Sequence, residues 1–70
     1  SDVAALYDEK EFLYLLDETG KFTEMGSSKN DRLNAFGDMK KKVKAYAKEN
    51  KLNLKKEKDV LKVVTYTNSL

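Results

Sequence analysis

Cysteine, histidine, proline and tryptophan are all absent from this 70-residue chain. Without cysteine the chain forms no disulfide and offers no thiolate ligand, and without histidine it lacks the side chain whose ordinary pKa lies closest to neutrality. No apolar run approaches the roughly 18 residues that span a bilayer, so we expect no transmembrane segment. These absences argue against a disulfide-stapled domain, a zinc protein, and an enzyme with a cysteine nucleophile or a histidine base.

Little of the chain can be buried, because seventy residues make one small domain that buries only about 60% of the surface its unfolded chain exposes. The chain begins with Ser1 rather than methionine, and we expect a piece of a longer protein. The predicted core consists of Phe12, Tyr14, Leu16, Phe22, Met25, Leu33, Phe36, Val43, Tyr46, Leu52, Leu54, Val60, Leu61 and Val64. Such a core stabilises a domain by a few kcal/mol at best, so we expect a neighbouring domain or a second copy to support it.

The net charge of +2 is the remainder of two oppositely charged halves. Residues 1–35 carry four basic and eight acidic side chains, whereas residues 36–70 carry ten lysines and four acidic side chains, so the halves have net charges of −4 and +6. A basic binding face is one interpretation. The simpler interpretation is a solvated face, because lysine-rich amphipathic helices commonly turn their lysines to water.

Residues 11–25 have the pattern of a β-hairpin. Residues 11–16 are bulky and aromatic, Gly20 can take the positive φ of a hairpin loop, and residues 22–25 alternate apolar and polar side chains. The first strand has two apolar faces, one with Phe12, Tyr14 and Leu16 and the other with Leu13 and Leu15. We place the first of these faces in the core, which leaves the second as an apolar surface that needs cover.

Two alternatives remain open for the N-terminal part. A helix over residues 2–19 is possible, because Val3, Leu6 and Leu13 fall near one helical stripe and Gly20 could be its C-cap. The period-two segment after the turn favours the hairpin. Residues 3–7 could instead cover the second face of the hairpin within the chain.

Two helices are predicted in the middle of the chain. Ser28 is the candidate N-cap of a short helix, with Asp31 completing a capping box, and Gly37 ends that helix. Asp38 is the candidate N-cap of a second helix over residues 38–50. Its buried face has helical spacing at Met39, Val43, Tyr46 and Ala47, and the opposite side carries Lys40, Lys41, Lys44 and Lys48.

The residue types of the C-terminal part are compatible with both a strand and a helix. Residues 51–55 predict an extended connection that places two leucines in the core. Residues 56–69 contain many β-branched and aromatic residues, which favours a strand. A helical face is equally present, formed by Val60, Leu61, Val64 and Thr67, and two acidic residues suit a helix N-terminus at Glu57 and Asp59.

The C-terminal half also carries a resemblance to a known group of proteins. The matching positions are Tyr46, Asn50, Lys51, Leu52, Lys55, Lys56, Glu57, Asp59, Leu61, Val64, Tyr66, Asn68, Ser69 and Leu70. With them, residues 38–70 are similar to the C-terminal segment of a group of uncharacterised exported Gram-negative bacterial proteins, in which an aromatic hairpin resembling Phe12–Met25 precedes the helices. The resemblance implies that the final segment is helical and that the chain is a C-terminal module of a periplasmic or cell-envelope protein. It implies no activity.

No motif points to catalysis. Carboxylates are adjacent in residues 8–11 and 17–18, but both stretches are polar and solvation is the simpler account. The chain has no twelve-residue calcium loop. Residues 26–28 could offer amides to an anion, although helix capping explains them more simply. We therefore predict no catalytic residue, no cofactor and no metal.

Nucleic-acid binding is the alternative function. The lysines of the helix over residues 38–50 form a stripe that could neutralise phosphates. Against this, the single arginine, Arg32, lies outside that stripe and offers no bidentate base reading there. We also expect that the exposed aromatic residues do not form a stacking platform.

Together these observations predict an α+β fold in one small domain over residues 1–70, with an N-terminal β-hairpin followed by three helices, the first of them short. The predicted function is that of a non-catalytic structural or protein-interaction module, with a neighbouring domain or a second copy as partner. The candidate interaction surface comprises Leu13, Leu15, Lys40, Lys41, Lys44 and Lys48.

Overall fold

The computed structural model describes residues 5–9, 12–17 and 19–70, in which an antiparallel sheet precedes three helices. The strands are β1, Ala5–Glu9; β2, Phe12–Leu16; and β3, Phe22–Met25, in the spatial order β1-β2-β3. The helices are α1, Lys29–Asn34; α2, Lys40–Glu49; and α3, Glu57–Asn68. The predicted fold class is confirmed, and β1 adds a third strand to the predicted hairpin. The alternative helix over residues 2–19 is excluded within the described part, where β1 and β2 lie.

The side chain of Asp17 holds the turn between β2 and β3. Its Oδ1 accepts hydrogen bonds from the Thr19 hydroxyl at 2.6 Å, the Thr19 amide at 2.9 Å and the Lys21 amide at 3.0 Å. The Thr19 hydroxyl and the Lys21 amide lower the pKa of the Asp17 carboxyl, because both stabilise its ionised form. Gly20 has a φ of 87°, which confirms its predicted place in the loop.

The strand register separates two faces of the sheet. Leu6 pairs with Leu15, and Leu13 pairs with Met25, so these four residues share one face, here called the inner face. The outer face carries Ala5, Tyr7, Glu9, Phe12, Tyr14, Leu16, Phe22 and Glu24. The inner face lies against the helices, since Leu13, Leu15 and Met25 belong to the same buried cluster as the helix valines.

The prediction that Phe12 and its face form the core side of β2 is wrong. Phe12 is 52% exposed, whereas Leu13 and Leu15 are only 5% and 9% exposed. Both faces of β2 are apolar, so β2 alone does not select one of them. β1 places one carboxylate on each face, Asp8 on the inner and Glu9 on the outer, so the helices make the selection by packing against the inner face.

Two further residues predicted in the core are exposed. Phe22 is 51% exposed because it lies three positions before Met25, on the opposite face of β3. Leu61 is 53% exposed on the solvent side of α3, whereas Val60 and Val63 are fully buried. Whether these residues are buried therefore depends on the face of the strand or helix on which they lie more than on their own hydrophobicity.

One cluster of buried apolar residues joins the inner face to the helices. Its members are Leu13, Leu15, Met25, Leu33, Phe36, Val43, Ala47, Leu54, Val60, Val63 and Val64. Beside this cluster, Tyr46 of α2 and Tyr66 of α3 stack with ring centroids 3.9 Å apart and planes only 8° from parallel. The predicted buried face of α2 is confirmed, with Val43 and Ala47 buried and Met39 half-buried.

The start of α1 follows the prediction, and the start of α2 does not. The Ser28 hydroxyl accepts a hydrogen bond from the Asp31 amide at 3.0 Å, which confirms the predicted N-cap. Asp38 instead lies inside a 3-10 turn, Gly37–Met39, and Met39 is the N-cap of α2 without a side-chain hydrogen bond. Because this turn runs directly into α2, Asp38 is already in helical geometry and cannot cap it.

The end of α2 is a Schellman motif. The Leu52 amide donates to the Ala47 carbonyl at 2.8 Å, and the Lys51 amide donates to the Lys48 carbonyl at 3.3 Å. Asn50 is the C-cap, as predicted. Lys51 has a φ of 54°, a left-handed conformation that favours glycine. The predicted extended connection over residues 51–55 therefore begins with a turn.

The last segment is helical, as the resemblance implied. It is joined to the preceding loop by Asp59, whose Oδ2 accepts a hydrogen bond from the Asn53 amide at 2.8 Å. The loop also places Leu54 in the core at 6% exposure, while Leu52 is half-buried.

Arg32 connects the sheet to the loop between α2 and α3. Its Nε donates to the Gly26 carbonyl at 2.8 Å, and its Nη1 donates to the carbonyls of Leu54 and Lys55 at 2.8 and 2.9 Å. The guanidinium therefore bridges the end of β3 and a loop more than twenty residues further along the chain. Hydrogen bonds from a charged donor are stronger than neutral ones, especially in a half-buried position such as this.

We predict that Arg32→Lys lowers the free energy of unfolding by about 2 kcal/mol, because one ammonium group cannot replace a forked donor that reaches three carbonyls. Urea unfolding followed by circular dichroism measures this. Lys29→Arg, on the exposed side of α1, is the control and should change stability by less than about 0.5 kcal/mol. Equal stability of Arg32→Lys and the parent chain would contradict the prediction.

We predict that Lys51→Gly raises the free energy of unfolding by about 1 kcal/mol, because glycine adopts the left-handed C′ conformation without strain. Lys48→Gly is the matched control inside α2 and should lower stability by about 1 kcal/mol. Thermal and urea unfolding of both variants check this. A loss of stability in Lys51→Gly would show that the Schellman motif does not strain this residue.

Candidate interaction site

Four aromatic side chains lie on the outer face of the sheet, and they include three of the five exposed large hydrophobic side chains of the described chain. They are Tyr7, Phe12, Tyr14 and Phe22, here called the aromatic face, and they are four of the seven aromatic residues in the sequence. Tyr7, Phe12 and Phe22 are 53%, 52% and 51% exposed, and Tyr14 is half-buried among them. Clustered exposed aromatic residues are unusual on a monomer surface and mark binding sites.

Three rings of the aromatic face, those of Tyr7, Tyr14 and Phe22, form contacts that extend across all three strands. The centroids of Tyr7 and Phe22 are 5.7 Å apart, and Tyr14 meets Phe22 edge to face at 6.3 Å. Tyr7 and Tyr14 are direct cross-strand partners. With Glu9, three of these rings line a shallow depression of about 310 Å³.

The aromatic face has an acidic rim. Glu9 lies opposite Phe12 in the β1–β2 ladder, and Glu24 lies opposite Tyr14 in the β2–β3 ladder. Both glutamates are exposed, and the described residues of the outer face include no cation. The face therefore combines apolar rings with negative charge.

A deeper concavity lies beside β3, on the side of the helices. This cleft has a volume of about 560 Å³, and its lining includes Leu15, Thr23, Phe36, Met39, Lys42 and Leu70. Most of these side chains are apolar. Among the described strands β3 pairs only with β2, so its other edge is free. The cleft lies next to this free edge, because Thr23 of β3 is part of its lining.

The structure divides the predicted interaction surface between two environments. Leu13 and Leu15 are buried in the core, so their prediction as surface residues is wrong: the helices of the chain itself cover them. The four predicted lysines are exposed on α2, at Lys40, Lys41, Lys44 and Lys48. The leucines and lysines therefore do not form one surface.

The four aromatic residues of the sheet share one face, an arrangement that the sequence did not predict. Period two places Phe12 and Tyr14 on the same side of β2, and the register adds Tyr7 and Phe22 to that side. Residues 5–9 show no apolar–polar alternation, so the sequence carries no period-two signal for β1. A hairpin without β1 favours a core position for the aromatic residues.

Asp8 of β1 and Glu57 of α3 form a pair of neighbouring carboxyl groups. A hydrogen bond with the Asp8 side chain raises the pKa of Glu57 above its usual value, and partial loss of hydration and the charge of Asp8 raise it further, while the nearby Arg32 opposes the shift. Both carboxyls are exposed to solvent. When both carboxyl groups are ionised, the pair is a repulsive contact between β1 and α3. Protonation of one carboxyl removes this repulsion.

Other kinds of site are not seen in the described part of the chain. No group of three or more acidic side chains there is arranged to hold a metal ion. None of the described helices has the length and apolar character needed to cross a membrane. No protein-family model matches the sequence, and neither the curated proteins nor the solved structures contain a significant match.

We predict that Asp8→Asn raises the melting temperature at neutral pH and has no effect near pH 3. The raised pKa of Glu57 means that the folded chain holds this proton more tightly than the unfolded chain, so stability falls as the pH rises from the ordinary glutamate pKa through the raised value. Asparagine removes the repulsion and can donate to the glutamate.

Melting curves between pH 3 and pH 7 check this effect of Asp8→Asn. Glu9→Gln, on the outer face of the same strand, is the control and should show no such pH-dependent gain. A parallel pH dependence of Asp8→Asn and the parent chain would contradict the assignment of the carboxyl pair.

Proposed function

We propose that this chain is a non-catalytic protein-interaction module that binds its partner on the aromatic face. The observation that carries the proposal is a contiguous group of exposed rings on a sheet whose other face already covers the core. Aromatic side chains bury about 150–250 Å² each and dominate the energy of many interfaces. Tyrosine also combines an apolar ring with a hydroxyl that remains solvated before binding.

The charge of the rim supports one kind of partner. Glu9 and Glu24 flank the rings, so a complementary surface has an apolar centre and lysine or arginine at its edge. A neighbouring domain of a longer polypeptide or a separate protein can offer such a surface. A face-to-face pair of identical copies is disfavoured, because a two-fold axis brings the same carboxylates of both copies to one interface.

The cellular context of the proposal rests on the resemblance of residues 38–70 to exported proteins. In that context the module belongs to a periplasmic or cell-envelope protein and contacts another domain or protein there. A signal peptide encoded upstream in the full gene supports this context, and a cytoplasmic full-length product contradicts it.

Electrostatic binding of nucleic acid is the second candidate function. It is favoured by the α2 lysines, which are exposed and form no ion pair with any described residue. The ion pair found among the described residues lies on α3, where Lys62 meets Asp59 at 3.9 Å. Two observations weigh against it. Arg32 donates to carbonyls inside the fold, and the aromatic face carries carboxylates that repel phosphates.

We predict that a photo-reactive phenylalanine analogue placed at Phe12 of the full-length protein forms an adduct outside this module in the native cell, with a second protein or with another domain of the same polypeptide. The same analogue at Lys44, on the opposite layer, is the matched control and should form none. Phe22→Ser should reduce the adduct severalfold while changing the free energy of unfolding by less than about 1 kcal/mol, because this ring lies outside the core.

The opposite pattern contradicts the protein-interaction function. No adduct at Phe12, together with a nucleic-acid adduct at Lys44 and affinity for mixed-sequence DNA or RNA that falls steeply with salt, supports the second candidate.

A further inference from the structure

The hydrogen bonds of the turn reveal which backbone groups of β3 face away from β2. The Asp17 amide donates to the Lys21 carbonyl at 3.0 Å, so this position starts the ladder. Hydrogen-bonded positions alternate along an antiparallel pair. With the observed register, Thr23 and Met25 direct their amides and carbonyls toward β2.

The amides and carbonyls of Phe22 and Glu24 consequently point toward the open edge of the sheet. No described strand pairs with this edge, and no described hydrogen bond reaches these groups. The next outward carbonyl belongs to Gly26 and is already occupied by the Nε of Arg32 at 2.8 Å. The open edge is therefore short, and Arg32 closes one end of it.

We propose that this edge binds an extended peptide segment as a fourth strand, antiparallel to β3. The proposal rests on the backbone of β3 and does not require that the rings of the aromatic face bind a partner, although Phe22 and Glu24 belong to both sites. An added strand satisfies the four free backbone groups of Phe22 and Glu24, which is the principle of strand addition in many peptide-binding domains. Antiparallel pairing continues the arrangement of the two existing ladders.

The cleft beside β3 receives the central side chain of the added strand. Directly opposed residues share a face, so the residue opposite Thr23 points to the inner side of the sheet. There Thr23 and Leu15 line the 560 Å³ cleft together with Phe36 and Met39 from the helical layer. A large aliphatic side chain fits this apolar lining, and a charged one does not.

The two flanking residues of the peptide lie on the outer side. The residue opposite Glu24 meets a carboxylate and is therefore lysine or arginine, and the residue opposite Phe22 meets a half-exposed ring and is therefore aromatic or aliphatic. Because the pairing is antiparallel, the recognised sequence reads basic, large aliphatic, aromatic from N to C. This order identifies the ligand class.

A second copy of the chain is a poorer occupant of the edge. Antiparallel pairing of two β3 strands about Thr23 places threonine at the cleft and brings no cation to Glu24. Both requirements of the edge would then be unmet. The favoured occupant is a basic and apolar segment of another protein.

The test uses an acetylated and amidated pentapeptide, Thr-Lys-Leu-Phe-Thr, titrated into the ¹⁵N-labelled chain and followed by NMR. The expected result is a saturable shift of the Phe22 and Glu24 amides with slower hydrogen exchange at both, accompanied by shifts of the Leu15 and Met39 methyl groups. No saturable shift of these two amides at millimolar peptide overturns the proposal.

Two methylated peptides provide a matched control. N-methylation of the peptide phenylalanine removes a donor to β3 and should weaken binding at least about fivefold. N-methylation of the peptide leucine alters an amide that points away from β3 and should change affinity by less than about twofold. Replacing the peptide lysine with glutamate should weaken binding at least about twofold at low salt. Equal affinities for the two methylated peptides overturn the proposal.

The outcomes separate this inference from the proposed function. Shifts confined to Tyr7 and Phe12 mean that the peptide docks on the aromatic face, which overturns edge binding and leaves the interaction function intact. Broadening of the Phe22 and Glu24 amides with protein concentration, in the absence of peptide, assigns the edge to a second copy and overturns the proposal. Edge binding without any adduct at Phe12 overturns only the use of the aromatic face.

Discussion

The sheet has two apolar faces, and the described helices cover only one of them. Leu13 and Leu15 on one side of β2, and Phe12 and Tyr14 on the other, are all side chains that favour burial. Three helices that follow the sheet in sequence pack on one side and form a single layer. The aliphatic inner face is covered, and the aromatic outer face remains exposed. The exposure of the aromatic face thus follows from the packing of the described helices on one side of the sheet.

Such a small domain also needs polar contacts to join its layers. The apolar cluster is supplemented by Arg32, which ties the end of β3 to the loop between the last two helices. Asp59 holds the same loop from the other side through the Asn53 amide. The loop therefore has little freedom, and Leu54 is placed in the core. Near the same arginine, the Asp8–Glu57 carboxyl pair opposes the packing of α3 on β1 when both groups are ionised.

Features that depend on local chemistry were predictable from the sequence. The loop glycine Gly20, the Ser28 cap and the buried side of α2 each follow from residues close together in the chain. Features that depend on long-range pairing were not. The burial of Leu13 required knowledge of β1 and its register, and the contacts of Arg32 involve carbonyls about twenty residues away. Only the folded chain brings these groups together.

Prediction of the aromatic face also required knowledge of β1. Phe12 and Tyr14 were recognisable as one side of a strand, but their exposure was not, because residue type alone makes aromatic rings good core candidates. β1 places Glu9 beside the rings and β3 places Glu24 there, and this polar rim is typical of a solvated face. The sequence therefore predicts that Phe12 and Tyr14 lie on the same side of a strand, but it does not predict that this side is exposed.

The charge asymmetry of the sequence becomes an asymmetry between layers. The acidic half supplies the sheet and the basic half supplies α2 and α3, so the aromatic face and the exposed α2 lysines lie on opposite sides of the domain. A field of this kind attracts basic groups toward the aromatic face.

The same field attracts copies of the chain head to tail, but charge alone does not sustain that contact in physiological salt. The aromatic face needs an apolar counterpart. Outside the sheet, the large apolar side chains exposed in the described chain are Leu61 and Leu70, which form no comparable cluster. The lysines of α2 surround no apolar centre, because Val43 and Ala47 face the core. Among the described residues, no other surface of the chain therefore offers the aromatic face an apolar counterpart.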